Sequence, residues 1–161
     1  MLCGVAYTIK MSKKGPREIG GYFDFVVPPL ESFWWHDCAD GGIDYARKDD
    51  FNFISCIHLP DFITREDFDW AVSEAAAKKR LDFSALELLK VDEGLCVQRM
   101  HVEPYGDEPA TISAMRSFAA EQGYAPDFSE SRLHHEICLS DPRKCAPEKL
   151  KTVIRHPIKL I

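Results

Sequence analysis

The chain has 161 residues, long enough for one domain with a sizeable core or for two small fused halves. Hydrophobic residues make up 45% and charged residues 29%, an ordinary balance for a globular fold, and the formal net charge is −6. That charge argues against nucleic acid as the main partner, because affinity for phosphate needs clustered Lys and Arg. The densest basic stretch, 143–151, also holds Pro147 and Glu148. Mild acidity suits a neutral or cationic ligand instead. No signal peptide is recognisable, and no apolar run is long enough to span a bilayer. The six cysteines form no CxxC pair, so reduced thiols in a cytoplasm are the simplest reading.

In chain order, Leu2, Val5, Ala6 and Ile9 recur at helical spacing, and Lys10, Lys13, Lys14, Gly15 and Pro16 close the run as a helix stop. MLCGVAYTIKMSKK reads as the second half of an amphipathic helix rather than as the start of a domain. GYFDFVV alternates and is rich in β-formers, which predicts a strand over 21–27, closed by Pro28 and Pro29. LESFWWHD follows, with Trp34 and Trp35 adjacent, and then an acidic, Gly-containing loop over 37–50. FNFISCIHL predicts a second strand over 51–59, stopped by Pro60. ITREDFDWAVSEAAAKK is the clearest helix: Thr64 and Asp67 make a capping box, and the alanine-rich body favours helix. GLCVQRMHVEPY predicts a third strand over 94–105. Asp107 caps a helix with Glu108 and Pro109 in its first turn, Ile112, Met115 and Phe118 as its buried stripe, and Gly123 as its stop. SRLHHEICL predicts a fourth strand, and PEKLKTVIRHPI a turn at Pro147 leading into a final strand that ends at Ile158. The second half therefore runs strand, helix, strand, strand. The first half runs helix, strand, strand, and a linking helix over 65–79 joins the two. This is an internal repeat in element order rather than in letters.

Taken together, YTIKM, GYFDFVVPPLESFWW, DFNFIS, LPDFIT, EGLCVQRMHVEPYGDEPATI and HHEICLSDPRKCAPEKLKTVIRHPI resemble the GyrI-like small-molecule-binding family. The resemblance covers nearly the whole chain, and its last block is long and specific. It implies an α+β fold of two tandem strand-helix-strand-strand (SHS2) modules, related by a pseudo-two-fold axis around a central ligand cleft. In those terms 1–161 is a single GyrI-like domain, with an incomplete first module over 1–60, a linking helix region over 61–93 and a second module over 94–161. The cleft takes aromatic, often cationic, drug-like compounds. Some members of this branch hydrolyse cyclopropane-bearing DNA-alkylating compounds. Others only bind ligands, or act as effector domains attached to DNA-binding domains. Two departures stand out. Members carry a strand and the start of a helix before the position of Met1, so the first strand is missing here. A misassigned start codon, a strand supplied by a partner chain (a homodimer through an open sheet edge) and an edge left open are the three readings. Glu103 in HVEPY stands where the family more often has Gly, and adds a carboxylate near the expected pocket mouth.

Side chains alternate faces along a strand. Leu133, His135, Ile137 and Leu139 fall on one face, and Arg132, His134, Glu136 and Cys138 on the other. The first set is apolar enough to pack on the helix over 107–122, which predicts Glu136 and His134 pointing away from the helices, towards the cleft. Spacing alone also allows a solvated strand face with Arg132 balancing the charge. The resemblance favours a ligand contact, because members place an acidic residue here. A carboxylate walled by aromatic rings is poorly solvated and holds a proton more tightly; ionised, it complements a delocalised cation. Trp34 and Trp35 face opposite ways, one in the core and one as a ligand wall, or both in the core. Tyr22 shares a strand face with Asp24, and module symmetry turns it towards the cleft. Tyr105, after Pro104 at a strand end, reaches the pocket with its hydroxyl or packs at a turn. Glu31 lies near the tryptophans or on the surface.

His134-His135-Glu136 contains the H-x-E of zinc deaminases without the PCxxC they require. His134, Cys138 and Cys145 offer zinc ligands with nothing else at ligand spacing. The 37–50 loop lacks the EF-hand pattern, and no GxSxG, P-loop or GxGxxG occurs, so neither metal nor cofactor is expected. The expected function is binding of a planar, hydrophobic, cationic or neutral small molecule. Its more specific form is hydrolysis of a strained, electrophilic ring. Glu136 then positions or deprotonates water, Tyr105 donates a hydrogen bond to the developing anion, and Trp34 or Trp35 stacks on the substrate. Tyr22, Glu31, Glu103 and His134 line the site. A non-catalytic sequestering module and an effector working through a protein partner are the rival readings.

Overall fold

The computed structural model describes residues 1–36, 45–104 and 106–161. The chain divides into two compact units, residues 1–28 with 57–90 and residues 29–56 with 91–161. In the first, α1 (Leu2–Met11) packs on α2 (Arg65–Lys79). The α2 start is local chemistry. Thr64 Oγ1 accepts the Asp67 backbone N–H at 3.2 Å, and the Asp67 carboxylate accepts the Thr64 N–H at 3.2 Å. Two of the N–H groups that a helix start leaves unpaired are thereby satisfied. Arg17 then pairs with Asp67 at 2.9 Å. Val5 and Ile9 from α1 bury against Phe68, Ala71 and Ala75 from α2, with Ile19, Phe25 and Phe83 completing the cluster.

The strand predicted over 21–27 does not form; the segment is irregular. Gly21 takes a φ of +71°, and Asp24 pairs with Lys13 at 2.6 Å. Tyr22 and Phe25 pack edge-on against Phe62, with ring centroids 5.7 and 6.2 Å away. β-propensity measures fit to a half-buried pleated surface. These aromatic residues find their burial in the first unit's core instead, and a strand begins only after Pro28 and Pro29.

The second unit holds the sheet. Its strands are β1 (Leu30–Trp35), β2 (Asn52–Cys56), β3 (Cys96–Val102), β4 (Tyr124–Pro126), β5 (His134–Cys138) and β6 (Lys151–Leu160). The order is β2-β1-β5-β6-β3, antiparallel throughout, with β4 paired to the end of β6. The outer edge of β2 has no strand partner among the described residues. Helix α3 (Glu108–Glu121) lies on β3 and β4, where Ile112 and Met115 meet Ile154 of β6 and Val97 of β3. Phe118 leaves the stripe predicted for it and is 57% exposed. At 3.6 residues per turn Ala119, not Phe118, lies in line with Ile112, and Ala119 is buried. The chain is thus an α+β protein, and no helix among its described residues is long and apolar enough to cross a membrane.

Candidate functional site

Residues directly opposed in an antiparallel ladder share a face of the sheet. Glu136 stands opposite Ser32 and Ile154, and Trp34 stands opposite His134 and Phe53. Ile154 belongs to the α3 core. Glu136, His134, Trp34 and Phe53 therefore occupy the face on which α3 lies. This corrects the expectation that Glu136 points away from the helices. The alternation along β5 was legible, but its sense was not: the apolar contact with α3 comes from Ile154 on the neighbouring strand, and Leu139 is left exposed.

On this face the carboxylate is held by a chain of rings. His134 Nε2 lies 2.9 Å from Glu136 Oε1, and His134 Nδ1 lies 2.7 Å from His156 Nε2. Both imidazoles are buried, and the Glu136 side chain keeps 13% of its surface exposed. Its second oxygen makes no hydrogen bond among the described residues. Burial, with His134 and Arg116 adding to it, pulls His156 down to about 3, so this ring is neutral near pH 7. Beside the carboxylate runs an aromatic ledge. Trp34 tilts over Phe53 with centroids 5.0 Å apart, and Phe51 meets Trp34 edge-on at 6.0 Å. Phe53 is 58% exposed, so the outer ring of the ledge is open to solvent. The Trp34 indole nitrogen is buried without a hydrogen-bond partner among the described residues. Ser32 and Ser55 hydroxyls, 3.4 Å apart, floor the gap between β1 and β2.

The opposite face carries a different network. His135 donates from Nε2 to Glu31 at 2.9 Å and from Nδ1 to Glu93 at 2.8 Å. Ionised carboxylates only accept, so both ring nitrogens carry protons and His135 is an imidazolium. Burial works against that charge, but the two carboxylates outweigh it and raise the His135 pKa. Burial likewise pushes Glu93 upward, and His135 and Arg155 more than reverse it, leaving Glu93 lowered. Arg155 closes the network through Glu93 at 2.5 Å and Gln98 at 3.0 Å, and Phe33 stacks on His135 at 4.2 Å. The segment that presents Glu93 is clamped by Arg132, which donates to the Glu93 and Leu95 carbonyls and pairs with Asp127. Arg132 thus serves this turn rather than balancing Glu136. Gly94, at a φ of +57°, makes the turn possible. Burial, then Glu31 and Glu93, push the Cys56 thiol up to about 11. That thiol stays protonated and is a poor nucleophile.

Of the residues singled out in the sequence, the structure brings Trp34, His134 and Glu136 together. Glu31 and Trp35 lie on the other face of the sheet. Tyr22 lies in the first unit, where its hydroxyl donates to the Lys10 carbonyl at 2.8 Å. Glu103 follows β3 and is exposed, and Tyr105 and loop residues 37–44 lie outside the described residues. Cys138 is four strand positions from His134, roughly 13 Å along the strand, too far to share a metal ion with it. Sequence reasoning missed Phe53 and His156. The alternation of FNFIS hinted at the first, but only the pairing of β5 with β6 brings His156 to His134.

A hydrolase from Listeria innocua is similar over 98% of this chain and 76% of its own, with 44% identity and a TM-score of 0.86. An uncharacterized conserved protein from Listeria innocua is similar over the same shares, with 46% identity and a TM-score of 0.87. No match is found among curated proteins. The family model for the GyrI-like small molecule binding domain matches residues 27–159, which takes in the whole sheet but for the last residue of β6, and both residues of the Glu136–His134 pair. The chain belongs to the GyrI-like small-molecule-binding family.

Proposed function

We propose that the α3-side face of the sheet binds a planar, hydrophobic small molecule, neutral or cationic, against Trp34 and Phe53, and that Glu136 there activates water to hydrolyse a strained, electrophilic ring. One observation carries this reading: a largely buried carboxylate with one oxygen held by His134 and the other without a hydrogen bond among the described residues, beside an exposed aromatic ledge. Ring faces stack on a flat ligand and attract its positive charge, while the carboxylate complements it. In the hydrolytic step, Glu136 takes a proton from water as the water oxygen bonds to the cyclopropane carbon. The strained carbon–carbon bond breaks, and its electron pair flows into a conjugated carbonyl, which becomes a phenolate. Tyr105 donates a hydrogen bond to that oxygen, and Glu136 returns the proton to the product, so atoms and charge balance. The relative described as a hydrolase supports reading the site as catalytic. The reading places this chemistry in a cytoplasm, which keeps thiols reduced.

Incubating the protein with a cyclopropane-bearing indole tests this. We expect the ring-opened, hydrated product from the wild type. Glu136→Gln should lower turnover by about 10²–10⁴-fold, the usual contribution of a general base, while binding the compound within a few-fold of wild type. Binding without turnover by the wild type leaves a sequestering module in place of an enzyme. Turnover unchanged by Glu136→Gln removes the carboxylate from the mechanism.

A further inference from the structure

We propose that the Ser32 hydroxyl, oriented by Ser55, holds the water that Glu136 deprotonates. This rests on the reading of Glu136 given above and adds the second partner of that water. The ladders set Ser55, Ser32, Glu136 and Ile154 in one row across β2, β1, β5 and β6, with Ser32 between Ser55 and Glu136. Opposed residues share a face, and their Cβ atoms lie about 4.5–5.5 Å apart. Ser32 and Glu136 make no direct hydrogen bond with each other. Two hydrogen bonds of about 2.8 Å meeting at one water oxygen span roughly 4.6 Å, a separation of the same size. Ser32 is 6% exposed. Its hydroxyl offers one donor and two acceptor sites. Among the described residues these meet only Ser55 Oγ, at 3.4 Å, longer than a full-strength O–H···O bond. Buried hydroxyls are normally paired, with protein or with ordered water. Glu136 keeps 13% of its side chain exposed, has Oε1 on His134, and makes no hydrogen bond through its other oxygen among the described residues. Two under-used polar groups therefore stand side by side on the face that carries the aromatic ledge.

The roles follow from what each group offers. An ionised carboxylate only accepts, so the water gives one hydrogen to Glu136. It gives the other to Ser32 Oγ. Ser32 in turn donates its own hydrogen to Ser55 Oγ, which turns the Ser32 lone pairs towards the water. Both hydrogens of the water are then occupied, and its lone pairs are left for the electrophilic carbon of the ligand. As Glu136 takes its proton, the water oxygen bonds to that carbon, and the ring bond breaks as described above. The hydrogen shared with Ser32 stays on the oxygen and becomes that of the product hydroxyl. Ser55 touches neither water nor ligand in this scheme; it acts through Ser32.

The test compares wild type, Ser32→Ala, Ser32→Thr and Ser55→Ala with the cyclopropane-bearing indole as substrate. A high-resolution crystal structure of the ligand-free wild type gives a readout independent of activity. We expect a water within hydrogen-bond distance of both Ser32 Oγ and the Glu136 carboxylate, and its loss in Ser32→Ala. We expect Ser32→Ala to lower kcat about tenfold with KM within about twofold of wild type, the pattern of an interaction that serves the step rather than ligand binding. Ser32→Thr, which keeps the hydroxyl, restores most of that loss. Ser55→Ala lowers kcat by a smaller factor, about threefold, because it frees the Ser32 hydroxyl to rotate without removing it. No water at that position, an unchanged kcat in Ser32→Ala, or a raised KM at constant kcat overturns the proposal; the last result makes the hydroxyl a ligand contact instead. Should the Thr methyl group prevent folding, the water and the Ser55→Ala variant decide. The two failures are separable. A wild type that does not turn the indole over, or a Glu136→Gln as fast as wild type, removes the general base and this proposal with it. A slow Glu136→Gln beside a Ser32→Ala as fast as wild type removes the proposal alone.

Discussion

Removing Glu93 tests the network on the face away from α3. Glu93→Ala deletes two charge-assisted hydrogen bonds, 2.8 Å to His135 and 2.5 Å to Arg155, and leaves both cations one partner short. Such bonds contribute about 1.5–3 kcal/mol each. Glu93 keeps 25% of its side chain exposed, so water replaces part of the loss. We expect a destabilisation of about 2–4 kcal/mol, overlapping the low end of the range for breaking a buried pair. Glu93→Gln keeps an acceptor but not the charge, and about 1–2 kcal/mol is expected. The pH dependence is specific. The raised His135 pKa gives stability that is complete below its ordinary 6.5 and lost as pH rises through the raised value. The lowered Glu93 pKa gives stability present above its ordinary 4.5 and lost as pH falls through the lowered value. The gap between wild type and Glu93→Gln is therefore widest between 4.5 and 6.5, and narrows on the alkaline side. Urea unfolding across that range measures it, as a change in midpoint at constant slope. A loss under about 0.5 kcal/mol for Glu93→Ala, or a gap that does not vary with pH, refutes the reasoning.

Two further substitutions probe the ledge and the first unit. Phe53→Ala removes the exposed half of the Trp34–Phe53 ledge and should weaken binding of a planar cationic dye about tenfold. Fluorescence titration reads this, and an unchanged Kd counts against the ledge as a ligand wall. Thr64→Ala removes the capping hydroxyl of α2 and should cost about 1 kcal/mol, seen as a lower Tm by circular dichroism. An unchanged Tm means the cap contributes nothing to the first unit.

The features legible in the sequence are those that local geometry decides. The capping box at Thr64 and Asp67 spans three residues, and α2 starts where it predicts. The pairing of His134 with Glu136 spans two, so strand alternation alone puts both on one face, as it puts Trp34 and Trp35 on opposite faces. What the tertiary structure decided is which face meets α3, and which distant groups complete each cluster. His156 lies 22 residues from His134, and Glu93 and Glu31 lie 42 and 104 residues from His135. The segment over 21–27 shows the same division: its letters favour a strand, yet its rings pack on Phe62 in the first unit's core. Backbone dihedrals fix periodicity within a segment, and burial then chooses among partners that only the register of separate strands brings together.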